Sequence, residues 1–419
     1  MIRKIFYMRK LLVVFILIFP VSVFAQIYPA PQLLAPYLNS APSIGSRSAV
    51  LIDAHTGTLL FSQNPDDEIP PASLTKLMTM HLLMNAIDEG KTSYDALVNI
   101  TTESWAQSQP PRSSLMFLEP GQIVTLREIM LGLCISSGND AAVAAALHIA
   151  SSMTDFAAMM TSEARNLGLK VTRFEESSGI SGLNMTTAYE YASFVRQYIT
   201  LHPHSLKEFH SVLTFTYPLA ANMPASRRPN FVTYTQQNQN SLLRTFPGVD
   251  GLKTGYIIES GYNIALTANR DDTRFILIIL GAPNNSSGTR IRAEDGTNLL
   301  NWAFENFKTV RPDVNHINSI CSKAAQLWKG KENFADLKLN ADQILDFTSP
   351  AKRALSLYYE ILIPEKLIAP LPAGYEAGYL VISDDEGELL RAPLTTAAAY
   401  ERGNFFKRLW HSIVLFFKK

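Results

Sequence analysis

Two cysteines in 419 residues, Cys134 and Cys321, are too few for a disulfide framework. Cys134 lies in the apolar run Ile129-Met-Leu-Gly-Leu-Cys-Ile135 and reads as a buried free thiol. Neither sign of charge is in excess, with 37 Lys+Arg against 37 Asp+Glu. No stripe of Arg and Lys interleaved with aromatics is present, so nucleic acid is not an expected partner. His-Glu-x-x-His is missing. His202-Pro-His204 and His210 fall where a loop is expected, so a metallopeptidase is disfavoured and neither a metal nor another cofactor is expected. No apolar run reaches the roughly 20 residues of a membrane span. Leu11–Pro20 follows Arg3, Lys4, Arg9 and Lys10 and leads to Val23-Phe-Ala25, the pattern of an export signal cut after Ala25. The alternative is a retained N-terminal anchor. No cysteine follows the cut, which argues against a lipoprotein, and the mature chain is expected outside the cytoplasm.

What the chain does have is a globular balance, 47% hydrophobic and 18% charged, and length for two or three domains. Ala49–Ala54 and Leu59–Ser62 flank His-Thr-Gly-Thr and predict a hairpin turning at Gly57. Helices are expected at 73–84, on both sides of a break at Ser136–Asn139, over 153–169, and from Thr187 to Thr200; residues 171–186 read as loop. Strands are expected at 251–256, 261–269 and 274–282, then a helix over 293–307. Strands at both ends with helices between predict an α/β (α+β) fold, an antiparallel sheet carrying a helical subdomain. The expected divisions are the signal at 1–25, the main domain at 26–309, a small β-sandwich-like domain at 310–398 and an amphipathic helix at 399–419. That last helix gathers Phe405, Phe406, Leu409, Trp410, Ile413, Phe416 and Phe417 on one side and Lys407, Arg408, His411 and Ser412 on the other. It suits a membrane interface better than a span; the alternative is packing on the β domain.

Three short motifs carry the chemistry. Ser73-Leu-Thr-Lys76 places a hydroxyl and an amine one helical turn apart, a nucleophile beside a base. Burial would lower the lysine pKa and let it take the serine proton. Alone, Ser-x-x-Lys should recur by chance about once or twice in such a chain. Ser137-Gly-Asn139, at the break between helices, also reads as a plain turn. Lys253-Thr-Gly255, in the first strand of the meander, also reads as an edge lysine, while Gly255 would let a ligand backbone lie close to the strand. Together, and in this order, they outweigh the bland readings.

These motifs and their flanks, Pro71–Thr79, Ser136–Ala142 and Val249–Gly255, with Ser260-Gly-Tyr-Asn263, Ile279–Ala282 and Leu299-Leu-Asn-Trp302, resemble the low-molecular-mass penicillin-binding proteins, the serine-type D-Ala-D-Ala carboxypeptidases. The resemblance implies the penicillin-binding/β-lactamase-like transpeptidase fold. It implies Ser73 as nucleophile, Lys76 as base and Ser137 as proton relay. Asn139, Lys253, Thr254, Gly255, the backbone of Tyr256 and Arg292 would bind substrate. It implies removal of the terminal D-Ala from the peptidoglycan stem pentapeptide, covalent inhibition by β-lactams, and a periplasmic enzyme held at the outer face of the inner membrane by its last helix.

Departures accompany it. Asn238-Gln-Asn240 has Gln239 where the family often has Arg, Tyr256 stands where His or Thr is common, and Glu190 replaces a usual Asp. A class A β-lactamase would need Glu ahead of Leu183-Asn184, and Ile180 is there instead. A peptidoglycan endopeptidase on the same scaffold and a non-catalytic wall-binding scaffold remain as alternatives.

Overall fold

The computed structural model describes residues 26–321, 324–339, 345–354 and 356–417. The expected signal peptide lies outside the described residues.

The larger part of the chain is organised by one antiparallel sheet. Its strands are β1 (Ser48–Asp53), β2 (Leu59–Gln63), β3 (Val249–Ile257), β4 (Gly261–Arg270) and β5 (Thr273–Ala282), in the order β2-β1-β5-β4-β3. The N-terminal hairpin docks on the meander through β1, with Val50 opposite Ile278 and Ile52 opposite Ile276. Side chains alternate in direction along a strand, and here both faces are covered. Val50, Ile52, Ile276, Ile278 and Leu280 join the core beneath the helices, while Ala49, Leu51, Phe275, Leu277 and Ile279 join a second core on the opposite face. This two-sided burial explains why these strands read as nearly continuous apolar runs.

Eight helices beside that sheet or beyond it are labelled here: α1 (Lys76–Asp88), α2 (Leu126–Leu131), α3 (Asn139–Ile149), α4 (Met153–Asn166), α5 (Ala188–Leu201), α6 (Gly288–Asn306), α7 (Val314–Cys321) and α8 (Phe405–Phe417). Their starts are written in the sequence. Thr125 and Glu128 form a capping box at α2, Ser152 accepts from Asp155 N–H at α4, and Thr187 accepts from Glu190 N–H at α5. Each such cap is worth about 1 kcal/mol. The break between α2 and α3 is tighter than expected. A π-turn, Gly132–Ser136, runs into Ser137 at φ 55°, and α3 starts at Asn139. A hairpin that sequence patterning did not signal pairs Thr214–Tyr217 with Tyr234–Gln237.

Beyond the main sheet, Phe307–Val310 pairs with Phe347–Pro350. A six-stranded sheet follows in the order Tyr358–Leu362, Glu376–Asp384, Gly387–Thr396, Phe334–Leu339, Ala324–Trp328, Leu367–Ile368. It has its own core, including Leu327, Leu337, Leu380, Ile382 and Leu394. Helix α7 is an addition that short alternating segments did not predict. Asp53 ties this region to the main sheet, accepting from the hydroxyls of Thr309 and Thr348, each at 2.9 Å.

Candidate active site

Ser73 sits in a single 3-10 turn, Ala72–Thr75, that leads directly into α1. Ala72 is left-handed at φ 50°, which swings the chain so that the serine stands at the mouth of the helix. Two glycines hold this turn from either side. A Cβ on Gly255 would come within 2.9 Å of both Ser73 N and Pro71 O, and one on Gly179 would overlap Ala72 O at 1.8 Å. Gly255 was expected to make room for a ligand. Its nearest neighbours belong to the turn that carries Ser73, so it lets strand β3 close on Ser73.

Lys76 is buried, and its Nζ lies 3.0 Å from Ser73 Oγ, 2.8 Å from Asn139 Oδ1 and 2.6 Å from the Ser178 carbonyl. Desolvation pulls its pKa down to about 7, against an opposing pull from Glu176 and Asp140. All three partners can accept, which suits the ammonium. On losing a proton the amine keeps two N–H bonds for Asn139 and Ser178 and turns its lone pair to the serine hydroxyl. That arrangement poises an uncharged base against a weak nucleophile.

On the facing wall, Lys253 Nζ donates to Ser137 Oγ at 2.8 Å and to Thr254 O at 2.9 Å. Burial first, then the nearby charges of Lys76 and Arg292, hold its pKa well below the usual lysine range. Lysine amines on both walls offer N–H donors to an anionic ligand group. The Ser137–Asn139 segment thus bridges the two lysines, with Ser137 on one and Asn139 on the other. Thr254 is buried behind Lys253, and Tyr256 points to the surface, donating to Asn284 Oδ1 at 2.8 Å.

Arg292 lies at the margin. It emerges from α6, donates to the Asn263 carbonyl at 3.2 Å, and sits 5.7 Å from the centre of the Tyr262 ring. Its Nε is buried without an acceptor, and burial brings its pKa down to about 10. Gln239 is exposed, whereas Asn238 and Asn240 are buried and hold the chain, Asn240 Nδ2 donating to Gly251 O at 3.3 Å. The two asparagines of that triplet therefore support the edge strand, and the residue between them faces solvent.

Three supporting residues escaped the motif reading. Glu176 accepts from the N–H groups of Ser178 and Gly179, both at 2.6 Å, and so aims the Ser178 carbonyl at Lys76. Asp140, fully buried, accepts from the N–H groups of Met116, Phe117 and Leu118. Its place beside Asn139 in the first turn of a helix was the available signal. Ser113 Oγ accepts from Asn139 Nδ2 at 3.2 Å. Glu190 anchors the expected loop through the N–H groups of Lys170, Val171 and Thr172, so the longer acid completes that contact.

Comparison with known proteins agrees with this geometry. The family model described as D-alanyl-D-alanine carboxypeptidase matches residues 36–284. D-alanyl-D-alanine carboxypeptidase DacD of Salmonella typhimurium is 32% identical over 398 residues, covering 93% of this chain and 95% of that protein. Penicillin binding protein 5 of Haemophilus influenzae superposes with a TM-score of 0.73 at 28% identity, over 87% of this chain and 99% of the other. Penicillin-Binding Protein D2 of Listeria monocytogenes, in its cefotaxime-bound form, matches at TM-score 0.53 and 26% identity, over 62% of this chain and 98% of that one. A hydroxyl and a buried amine meeting beneath a glycine-bearing edge strand, in a chain matched across most of its length, have one reading: the protein belongs to the D-alanyl-D-alanine carboxypeptidase family of serine peptidases.

Proposed function

We propose that Ser73 Oγ attacks the carbonyl joining the two terminal D-alanines of a peptidoglycan stem pentapeptide, giving up its proton to Lys76. Its distance of 3.0 Å from an amine whose pKa is about 7 is the observation that carries this reading. The C–N bond then breaks. Ser137, held by Lys253, relays the proton from Lys76 to the departing amine. Free D-alanine leaves, and the Ser73 ester is hydrolysed by water, returning the proton and releasing the tetrapeptide. Asn139 would hold the substrate amide as well as Lys76. Lys253, Thr254 and Arg292 would receive the terminal carboxylate. The N–H groups of Ser73 and Tyr256 would stabilise the oxyanion. A β-lactam copies the same end of the substrate and would leave Ser73 acylated.

The test is mass spectrometry of the purified protein with penicillin and with a D-Ala-D-Ala pentapeptide. A covalent adduct and released D-alanine are expected, and Ser73→Ala should lose both. An adduct without released D-alanine would point to cleavage of cross-links instead, as in an endopeptidase. No adduct at all would leave only a wall-binding scaffold.

The protein is exported to reach this substrate, and we propose that α8 holds it at the membrane surface. No described helix is long and apolar enough to span a bilayer alone. Helix α8 faces the β domain with polar groups: Lys407 Nζ donates to Lys331 O, and His411 Nδ1 accepts from Lys329 N–H at 2.8 Å. Phe406, Trp410, Phe416 and Phe417 are left exposed. An apolar face turned outward with Lys and Arg at its margins suits the interface of an anionic bilayer. Removing residues 404–419 should abolish flotation with anionic vesicles and leave penicillin acylation intact. Flotation that survives the truncation would refute the anchoring role.

A further inference from the structure

A second cavity, about 440 Å³ in volume, opens beside the segment that supports Asn139, and no residue of the Ser73 centre lines it. Its walls include Trp105, Phe117, Glu119, Gln122, Arg227 and Tyr234. Its size lies within the range of about 300–1,000 Å³ usual for small-ligand sites. We infer that this cavity is a subsite for an N-acetylated amino sugar of the glycan strand that carries the stem peptide, an assignment that rests on the carboxypeptidase reading above.

Four observations support it. The ring of Phe117 stacks on that of Tyr234 with centres 3.9 Å apart and planes at 22°. Tyr234 is 38% exposed, which leaves an aromatic surface against which the C–H face of a sugar can lie. Phe117 holds this place at φ 73°, an unfavourable backbone for a bulky residue, imposed by the three N–H bonds to Asp140.

Gln122 supplies the polar signal. It is only 8% exposed, and its Oε1 is taken by Glu119 N–H and the Tyr217 hydroxyl. Its Nε2 reaches only the sulfur of Met223 at 3.9 Å, a weak acceptor. A buried amide donor without an oxygen partner favours a ligand that brings one, as the carbonyl of an acetamido group does. Charge argues the same way. Arg227 is closed on Glu119 and on the carbonyl of Pro120, so the pair offers no net charge and suits a neutral ligand.

Reach completes the case. Ser113, bonded to Asn139, stands four residues before Phe117, at most about 14 Å of extended chain. Four stem residues separate the scissile carbonyl from the sugar and span at most about 14 Å as well. A stem peptide bound at Ser73 would carry its own sugar on a tether of that length. One wall of the cavity comes from the loop between Tyr217 and Tyr234, which joins the hairpin strands that patterning did not signal.

Two measurements test this. The first is the ratio of kcat/KM for a GlcNAc–MurNAc-pentapeptide to that for the free pentapeptide. Tyr234→Ala should lower this ratio about tenfold, close to 1.4 kcal/mol. Tyr234→Phe, which keeps the ring, should preserve it. An unchanged ratio in Tyr234→Ala overturns the assignment, and so does an equal fall for both substrates, which would mean that the cavity holds peptide. The second is saturation-transfer NMR of the peptide-free disaccharide on the wild-type chain. Transfer to the acetamido methyl, lost in Tyr234→Ala, is expected, and no transfer overturns the assignment. Transfer without D-alanine release from either pentapeptide would instead count against the carboxypeptidase reading and leave the sugar site standing.

Discussion

Replacing Lys76 with methionine is expected to slow acylation of Ser73 by penicillin by about three orders of magnitude, the usual scale of a lost general base. The same change should reveal a stability burden. Folded Lys76 releases its proton near pH 7, whereas its value in the unfolded chain is 10.5. Between those two values the unfolded chain binds the extra proton, so raising the pH favours the folded state. Wild-type stability, measured against Lys76→Met in urea titrations, should therefore climb between about pH 7 and pH 10 by up to about 1.4 kcal/mol per unit. Below pH 7 both states are protonated, and the difference should be flat. The acylation rate of the wild type should fall over that same acid range, as the base is lost. A stability difference that stays constant from pH 7 to pH 10 would mean that the lysine is not depressed, and the proposed chemistry would lose its base.

The second large effect belongs to Gly179. Its φ is +86°, and a Cβ would stand 1.8 Å from the carbonyl oxygen of Ala72. Nothing at that point is a flexible side chain; the obstacle is backbone one residue before the nucleophile. Gly179→Ala should cost at least about 3 kcal/mol and displace both the Ser73 turn and the adjacent Ser178 carbonyl that holds Lys76. Penicillin labelling should drop by about a hundredfold or more in whatever protein still folds. Gly168→Ala is the matched control. Its φ is +82°, but a Cβ there meets nothing within 4 Å. It should lose only the backbone part, about 1 kcal/mol, and label normally. Equal losses in thermal melting for the two variants would show that strain alone, and not contact with Ala72, sets the need for glycine.

The sequence displayed the reacting groups well because each is a residue type at a fixed local spacing. Ser73 and Lys76 need only one helical turn, and Lys253 and Gly255 only one strand. Apolar runs bounded by turn residues also forecast the sheet, and helical periodicity its helices, with ends displaced by a few residues. The supporting contacts were not legible, because they are made by backbone. Nothing about Ser178 as a residue announces that its carbonyl will accept from Lys76, and Glu176 acts by gripping N–H groups of its own loop. A strand glycine such as Gly255 shows that something comes near and not what. The hairpin at Thr214–Tyr217 and Tyr234–Gln237 was missed for another reason: only Tyr217 among its strand residues is buried, so burial imprints little two-residue alternation on them.

One of the two neighbours of β1 in the central sheet is β5, so Ser48 lies across from Leu280. Almost the whole domain separates those partners along the chain. Such distant pairing is slow, and it must wait until the later strand exists. A ribosome or a translocation pore that has released only the first half of this polypeptide has therefore released the serine without the wall that completes its pocket. Assembly of a working hydrolase is deferred until the second half has followed.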